Sequence, residues 1–373
     1  MASTVVDSLI FRDIFSTEEM RRIFSDEYRV QRYLDIEAAL AKVQARLGII
    51  PQTAADEIAA HCHVEQLDLN TLKTQTEAIG YPVLPVVQQL VALCSNQAGQ
   101  YCHWGATTQD ITDTATVLQM RAALVLIEQD LATIADHLAA YARRYRDTPM
   151  AGRSNLQQAV PITFGYKTAT WLAAIERHRQ RLQEIRPRVL VGEFAGAAGT
   201  LASLGNDGLS VQAALLAELE LGQPEIAWHT QRDRIAEVAC FLELVTGTLG
   251  KVETDVKLLM QTEVGEVLEP YAPGRGSSST MPQKRNPIAS NFIHACTAMV
   301  RQHVAALLDA MVEDHERATG PWEIEWIALP EIFLLTAGAL RQARMILAGL
   351  EVPIQNGCAR TSISPTASSA PRQ

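Results

Sequence analysis

Positive charge is in short supply: 32 Lys and Arg stand against 42 Asp and Glu, a formal net charge of −10. Nucleic acid and an anionic membrane both need a basic face, so neither is expected as a partner. A small anionic substrate stays open, because a few clustered cations decide that. The N-terminus lacks the long apolar run of a signal peptide or spanning helix, so a cytoplasmic protein is expected. The six cysteines, Cys62, Cys94, Cys102, Cys240, Cys296 and Cys358, show no metal-ligand spacing. Several fall in apolar helical runs, as reduced packing residues do. His61-Cys62-His63 has no second ligand cluster, so no metal is expected, and no cofactor either. Alternating strand runs are missing as well, which leaves the core to helices.

What is present is apolar residues at helical spacing. At 373 residues and 47% hydrophobic, the chain can bury a large core. The amino-terminal 50 residues read as helical, with an amphipathic segment Leu34–Ala41 stopping near Gly48 and Pro51. Three long helices follow from steps of three and four. They are Leu124, Ile127, Leu131, Ile134, Leu138, Tyr141; then Ile235 through Leu259; then Ile288 through Met311. A fourth is expected near Phe164 to Ile185 and a fifth from Leu329 to Leu350. Helices of this length suit an all-α, long-helix bundle that packs further as an oligomer.

The most informative stretch is Gly274-Arg275-Gly276-Ser277-Ser278-Ser279-Thr280-Met281-Pro282-Gln283-Lys284-Arg285-Asn286-Pro287. Glycines and serines in a row form a hydroxyl-bearing loop that can close over a ligand. Asn286 is a plausible N-cap and Pro287 a first helical residue. A helix N-terminus with Lys284 and Arg285 beside it reads as an anion site.

The run from Ser278 to Pro287 resembles the signature loop of the fumarase/aspartase superfamily. Two further segments are similar to the other signature regions: Tyr101 to Thr114, and Gly152 to Gly165. The resemblance runs from about residue 10 to Val352. It implies a homotetramer with a central many-helix bundle, each active site drawing on three subunits. It also implies a helical domain over 1–110 and the long-helix bundle over 111–352.

Two departures narrow the branch. Lyases of the superfamily carry an acid–base histidine where this chain has Asn155, and Asn cannot shuttle a proton. The adenylosuccinate-lyase phosphate clamp is replaced by Trp322 and Trp326. Together with Gln231-Arg232-Asp233-Arg234 and Met260-Gln261-Thr262-Glu263-Val264-Gly265-Glu266, this resembles the branch that lactonises 3-carboxy-cis,cis-muconate. That resemblance implies Ser279 as the proton-exchanging residue, activated by Lys284. Lys284 and Asn286 then hold a substrate carboxylate, with Arg317 and Arg153 as further anion partners. His103, Thr107 and Thr108 orient the substrate, and Gln157 and Trp322 contact it. Arg232 and Arg234 are open to either a structural or a substrate role. Other readings are a 3-sulfomuconate cycloisomerase, an adenylosuccinate-lyase-like enzyme and a non-catalytic structural homologue.

The helical pattern stops at Val352, and 353–373 is a Ser/Thr/Ala/Pro-rich tail expected to be disordered. Read two bases later, codons compatible with it can spell A-D-P-E-R-M-R-A-N-L-D-I-T-H-G-L-I-G-S-E-A. That string is similar to the start of the third domain in family members. A frameshift after Val352 is therefore expected.

Overall fold

The computed structural model describes residues 3–95, 97–276, 280–281 and 284–353. Ser279 and the tail from 354 onward, with Cys358, lie outside the described residues. The helices are α1 (Arg12–Phe15), α2 (Glu18–Ile23), α3 (Asp26–Arg46), α4 (Gln52–His61), α5 (Leu69–Ile79), α6 (Val83–Leu93) and α7 (Thr108–Arg144). A hairpin of β1 (Pro149–Ser154) and β2 (Gln157–Thr163) follows, then α8 (Phe164–Val189), α9 (Gly208–Glu218), α10 (Asp233–Leu259), α11 (Ile288–Asp309) and α12 (Pro321–Gly349). The all-α expectation holds, and each of the five long helices is present.

The bundle is α7, α8, α10, α11 and α12, with α11 packed on both α10 and α12 and α7 on α8. Leu124, Ile127, Leu131 and Ile134 of α7 are 0–1% exposed. Burying each such side chain contributes about 1.5–3 kcal/mol. Helix α7 begins four turns earlier than its apolar period suggested. Its first half buries Gln109, Asp110, Thr112, Asp113, Thr114 and Gln119, polar residues that hide a helix from a hydrophobicity reading. Several have protein partners: Gln109 donates to His229 O (2.8 Å), Gln119 to Ile23 O (2.7 Å) and Thr114 to Glu193 O (2.7 Å).

Helix directions set two ends. Trp322, at the start of α12, donates to Asp113 near the start of α7 (3.0 Å). Tyr141, near the end of α7, donates to Leu350 O just past α12 (3.2 Å). The two helices therefore run parallel. Arg285, ahead of α11, reaches Glu351 beyond α12, so α11 runs the other way. With 37 residues, α7 is about 55 Å long, and that length separates the ends.

The hairpin departs from the sequence expectation, in which no strand was foreseen. Most of β2 is exposed, so it shows no inward–outward alternation to read. Backbone pairing and the turn hold it instead. Ser154 pairs with Gln157, and Asn155 (φ 50) and Leu156 (φ 63) between them are both left-handed. That is the pattern of a type I′ turn, where Asn is favoured at the first position. Asn155 thus suits the turn whatever else stood there.

The free thiols of Cys62, Cys94, Cys102, Cys240 and Cys296 are buried or half-buried. Burial pushes that of Cys296 up to about 12, which suits inert packing residues. Among the described residues no helix is long and apolar enough to cross a membrane.

Gly338 marks where α12 meets α1. A Cβ there would lie 2.3 Å from Phe15 O and 2.4 Å from Phe15 C, both backbone atoms. In Gly338→Ala the helix-propensity gain of about 1 kcal/mol opposes an overpacking cost of about 1–3 kcal/mol. The clash wins, and urea denaturation should show net destabilisation.

Candidate active site

Each end of the bundle carries part of the expected site. At the first end, Glu37 of α3 holds His103: the ring Nδ1 lies 2.6 Å from Oε1, and the His103 amide donates to Oε2 (3.1 Å). Burial alone would lower the His103 pKa, but the Glu37 carboxylate outweighs it and the net shift is upward. With Nδ1 committed to Glu37, Nε2 is the atom left to meet a ligand.

Thr107 caps α7, and Thr108 is its first residue. Arg317 Nη1 donates to Thr107 Oγ1 (3.0 Å) and to Ala197 O (3.3 Å). The connection between α11 and α12 thus lies over the start of α7. Behind it, Asp110 accepts from the amides of Thr107 (2.9 Å), Ala195 (2.9 Å) and Gly196 (3.0 Å), and lies 2.8 Å from His229 Nε2. Asp110, Glu193 and His229 are close enough together to suggest a metal set. Asp110, however, already has four donors, so the cluster works as a hydrogen-bonded joint fastening 193–197 to α7. Burial pushes Glu193 up to about 7, against the lowering effects of His229 and the Trp228 amide. His229 is raised: Asp110 and Glu193 overcome its burial.

Arg232 is structural. It is 2% exposed, forked to Asp113 (2.7 and 3.0 Å), and its Nε donates to Glu325 (2.9 Å). Arg234 sits at the surface, donating to Glu225 (2.8 Å). Trp322, read from the sequence as a flat face for substrate, is 4% exposed. Its indole N–H is tied to Asp113, Tyr81 stacks on it at 5.9 Å, and Trp326 meets it edge-on at 4.9 Å. Within one chain it is a packing residue held by Asp113, Tyr81 and Trp326.

The second end holds Arg153, Gln157, Lys284 and Asn286. Arg153 is forked to Glu266 (2.8 and 2.8 Å), so any anion there shares it with that carboxylate. Gln157 and Lys284 are exposed. The loop entering α11 differs from its sequence reading in three ways. Pro287, not Asn286, occupies the N-cap position. Asn286 instead staples the loop base, donating through Nδ2 (2.9 Å) and its backbone N (3.2 Å) to Gly276 O. A Cβ on Gly276 would meet Asn286 O at 2.8 Å, so only glycine allows that approach. The helix N-terminus is filled by the protein itself: Glu269 accepts from Ala289 N (3.2 Å), Ser290 N (2.9 Å) and Ser290 Oγ (2.8 Å). Arg285 is occupied by Glu351 (2.9 and 2.8 Å). Of the loop's expected anion partners, Lys284 is the one left exposed.

Sequence reasoning missed Glu37, Asp110, Glu193, His229, Glu266 and Glu269. Lone acids give no signal by themselves; Asp110 and Asp113, three apart at a helix start, come nearest to one.

Removing the guanidinium by Arg232→Met strands Asp113 and Glu325 without a cation. The expected loss is about 3–5 kcal/mol in urea denaturation. Glu193 gives a pH test. Its folded pKa of about 7 lies above the ordinary 4.5. Its stabilising effect is therefore full below about 4.5 and is lost as pH rises through about 7. Glu193→Gln should flatten the fall in stability between about pH 4.5 and 7, by up to about 1.4 kcal/mol per pH unit, and change little above 7.

A family model described as lyase matches residues 14–301. Trans-aconitate decarboxylase 1 of Mycosarcoma maydis is 59% identical over 340 residues, 91% of this chain and 69% of that protein. The 3-carboxy-cis,cis-muconate cycloisomerase of Pseudomonas aeruginosa is 50% identical over 356 residues, 95% of this chain and 78% of that one. The crystal structure of the 3-carboxy-cis,cis-muconate lactonizing enzyme from Pseudomonas putida superposes with a TM-score of 0.92 at 46% identity, covering 96% of this chain and 80% of that one. With its all-helical bundle and three signature regions, this chain belongs to the lyase family of the fumarase/aspartase superfamily.

Proposed function

We propose that this enzyme acts on a small unsaturated tricarboxylate, as a cycloisomerase of 3-carboxy-cis,cis-muconate. The observation that carries the class is the set of side chains around each end: Arg317 on Thr107 at one, exposed Lys284 and the glutamate-shared Arg153 at the other. One muconate carboxylate oxygen bonds to an alkene carbon, and a proton goes to the neighbouring carbon, so the product is an isomer. Between these steps charge rests on an aci-carboxylate, which Lys284 and Arg317 stabilise. Ser279 exchanges the proton, and His103 Nε2 with Thr107 and Thr108 orients the substrate. Gln157 and Asn286 complete the substrate contacts at the second end. Sulfomuconate presents a similar anion and is the nearest alternative substrate.

A second reading comes from the 59% identical trans-aconitate decarboxylase. That substrate is also an unsaturated tricarboxylate. Breaking its bond to a departing CO2 leaves the same kind of carboxylate-stabilised carbanion, which the same acid would protonate.

The two groups of residues lie on the order of 50 Å apart in one chain, too far to meet one substrate. We infer that copies of the chain associate, as a homotetramer, bringing one copy's first end to another's second. Both ends expose apolar side chains suited to burial: Leu156 (73%) and Val160 at one, Val312 (80%) and Ile327 at the other.

Purified enzyme should consume the dienoate absorbance of 3-carboxy-cis,cis-muconate. Release of CO2 from trans-aconitate would favour the second reading instead, and no turnover of either would overturn the class. Ser279→Ala should lower the rate by about 10²–10⁴-fold without unfolding the protein. Ser279→Ala and Arg317→Ala chains, each inactive alone, should regain part of the activity when co-expressed. No recovery would argue against sites shared between copies.

A further inference from the structure

Glu313 lies in the connection from α11 to α12, four residues before Arg317. Its side chain is fully buried, at 0% exposure, yet neither carboxyl oxygen has a hydrogen-bond partner. The nearest guanidinium atom, Arg232 Nε, is 3.9 Å away. That nitrogen already donates to Glu325, and the rest of the guanidinium is taken up by Asp113 and Glu325. Three carboxyl groups therefore share one cation, and the third is left without a bond. An ionised carboxylate in that position would face Asp113 from α7, Glu325 from α12 and Asp314 from its own loop, with Arg232 as its one opposing charge. A buried anion so placed is strongly disfavoured, whereas a neutral acid is tolerated.

The surrounding loop is tightly drawn. Asp314 accepts from the amide and the hydroxyl of Thr319 (3.0 and 3.0 Å), and the Gly320 amide donates to Glu323 (3.1 Å). His315 holds a left-handed φ of 50, a conformation that carries strain in a residue with a side chain. Arg317 is thus delivered to Thr107 and Ala197 by a short strained turn whose buried foot is Glu313.

We propose that Glu313 is a positioning residue: as the neutral acid it lets this connection close and seat Arg317 on Thr107, and on ionisation it releases that seat. The geometry is supported by burial and like charge, which push Glu313 up to about 7 despite Arg232. Release would then be favoured increasingly from about pH 4.5, where an exposed carboxyl ionises, up to about 7. Because the neutral acid is the form the fold accepts, the closed loop is favoured below that range and lost above it. The loop movement stands by itself; its effect on turnover rests on the substrate seat proposed above for Arg317.

Two readouts test it on the full-length enzyme. Trypsin cleavage after Arg317, normalised at each pH to a reference peptide, should rise by up to about tenfold per pH unit between about pH 5 and 7 and level off above that. In Glu313→Gln, the uncharged isostere, it should stay flat. An infrared difference spectrum between pH 6 and pH 8 should show a protonated carboxyl band beyond that of Glu193, and the Gln variant should lack this extra band. Cleavage in the wild type that does not depend on pH, an equal rise in the variant, or no such band would overturn the proposal. If the loop opens as stated, KM for the turned-over tricarboxylate should rise with it in the wild type and not in the variant, with kcat little changed. Loop opening with a flat KM would uphold Glu313 and overturn the place given to Arg317 in the substrate seat.

Discussion

The length of α7 is the constraint from which the rest of this structure follows. An unbroken helix of 37 residues is a rigid strut, and the chain hangs one set of polar side chains at each end of it. Helices α8 and α12 brace the strut, and α10 and α11 close the bundle behind them, with apolar seams that carry no chemistry. The chemistry is pushed to the ends, where the connections arrive and backbone groups are free to meet side chains.

At the first end, the energetics turn on buried charge. Asp113, Glu325 and Glu313 crowd around Arg232, while Asp110 gathers four donors. Such groups contribute little net stability compared with apolar residues of the same size, but they are demanding about geometry. They fix where α7 begins, where 193–197 crosses it and where the α11–α12 connection returns. Arg317 takes its place from that framework, and His103 from Glu37 of α3, not from bonds along their own segments.

The parts legible in the sequence were those governed by apolar spacing or by long ordered motifs. Helices α10 and α11 could be read from leucines and valines because their buried faces are apolar. The first four turns of α7 could not, because Gln109, Asp110, Asp113 and Thr114 are buried by partners far away in sequence. Hydrophobicity has no means of registering a satisfied polar group. The hairpin escaped for the opposite reason: β2 buries little, so nothing alternates. Among the site residues, His103 and Arg317 could be named from their segments. Their holders, Glu37 and the backbone of Ala197, emerge only when the chain is folded. Arg285 and the start of α11 show the limit of local reading, since Glu351 and Glu269 come from outside the motif to occupy them.

The filling of that helix end by Glu269 bears on selectivity. A bare helix N-terminus attracts any small anion through charge and amide donors, with little regard for shape. Inorganic phosphate, sulfate and free nucleotides would all compete there, since an ordinary anion needs only to fit two or three N–H groups. By seating its own carboxylate on Ala289 and Ser290, the protein withdraws this general-purpose trap. What remains to greet a ligand is separate point charges on side chains, set apart in space. A compact oxyanion can touch one of them at a time; a carbon skeleton carrying several carboxylates can reach more than one.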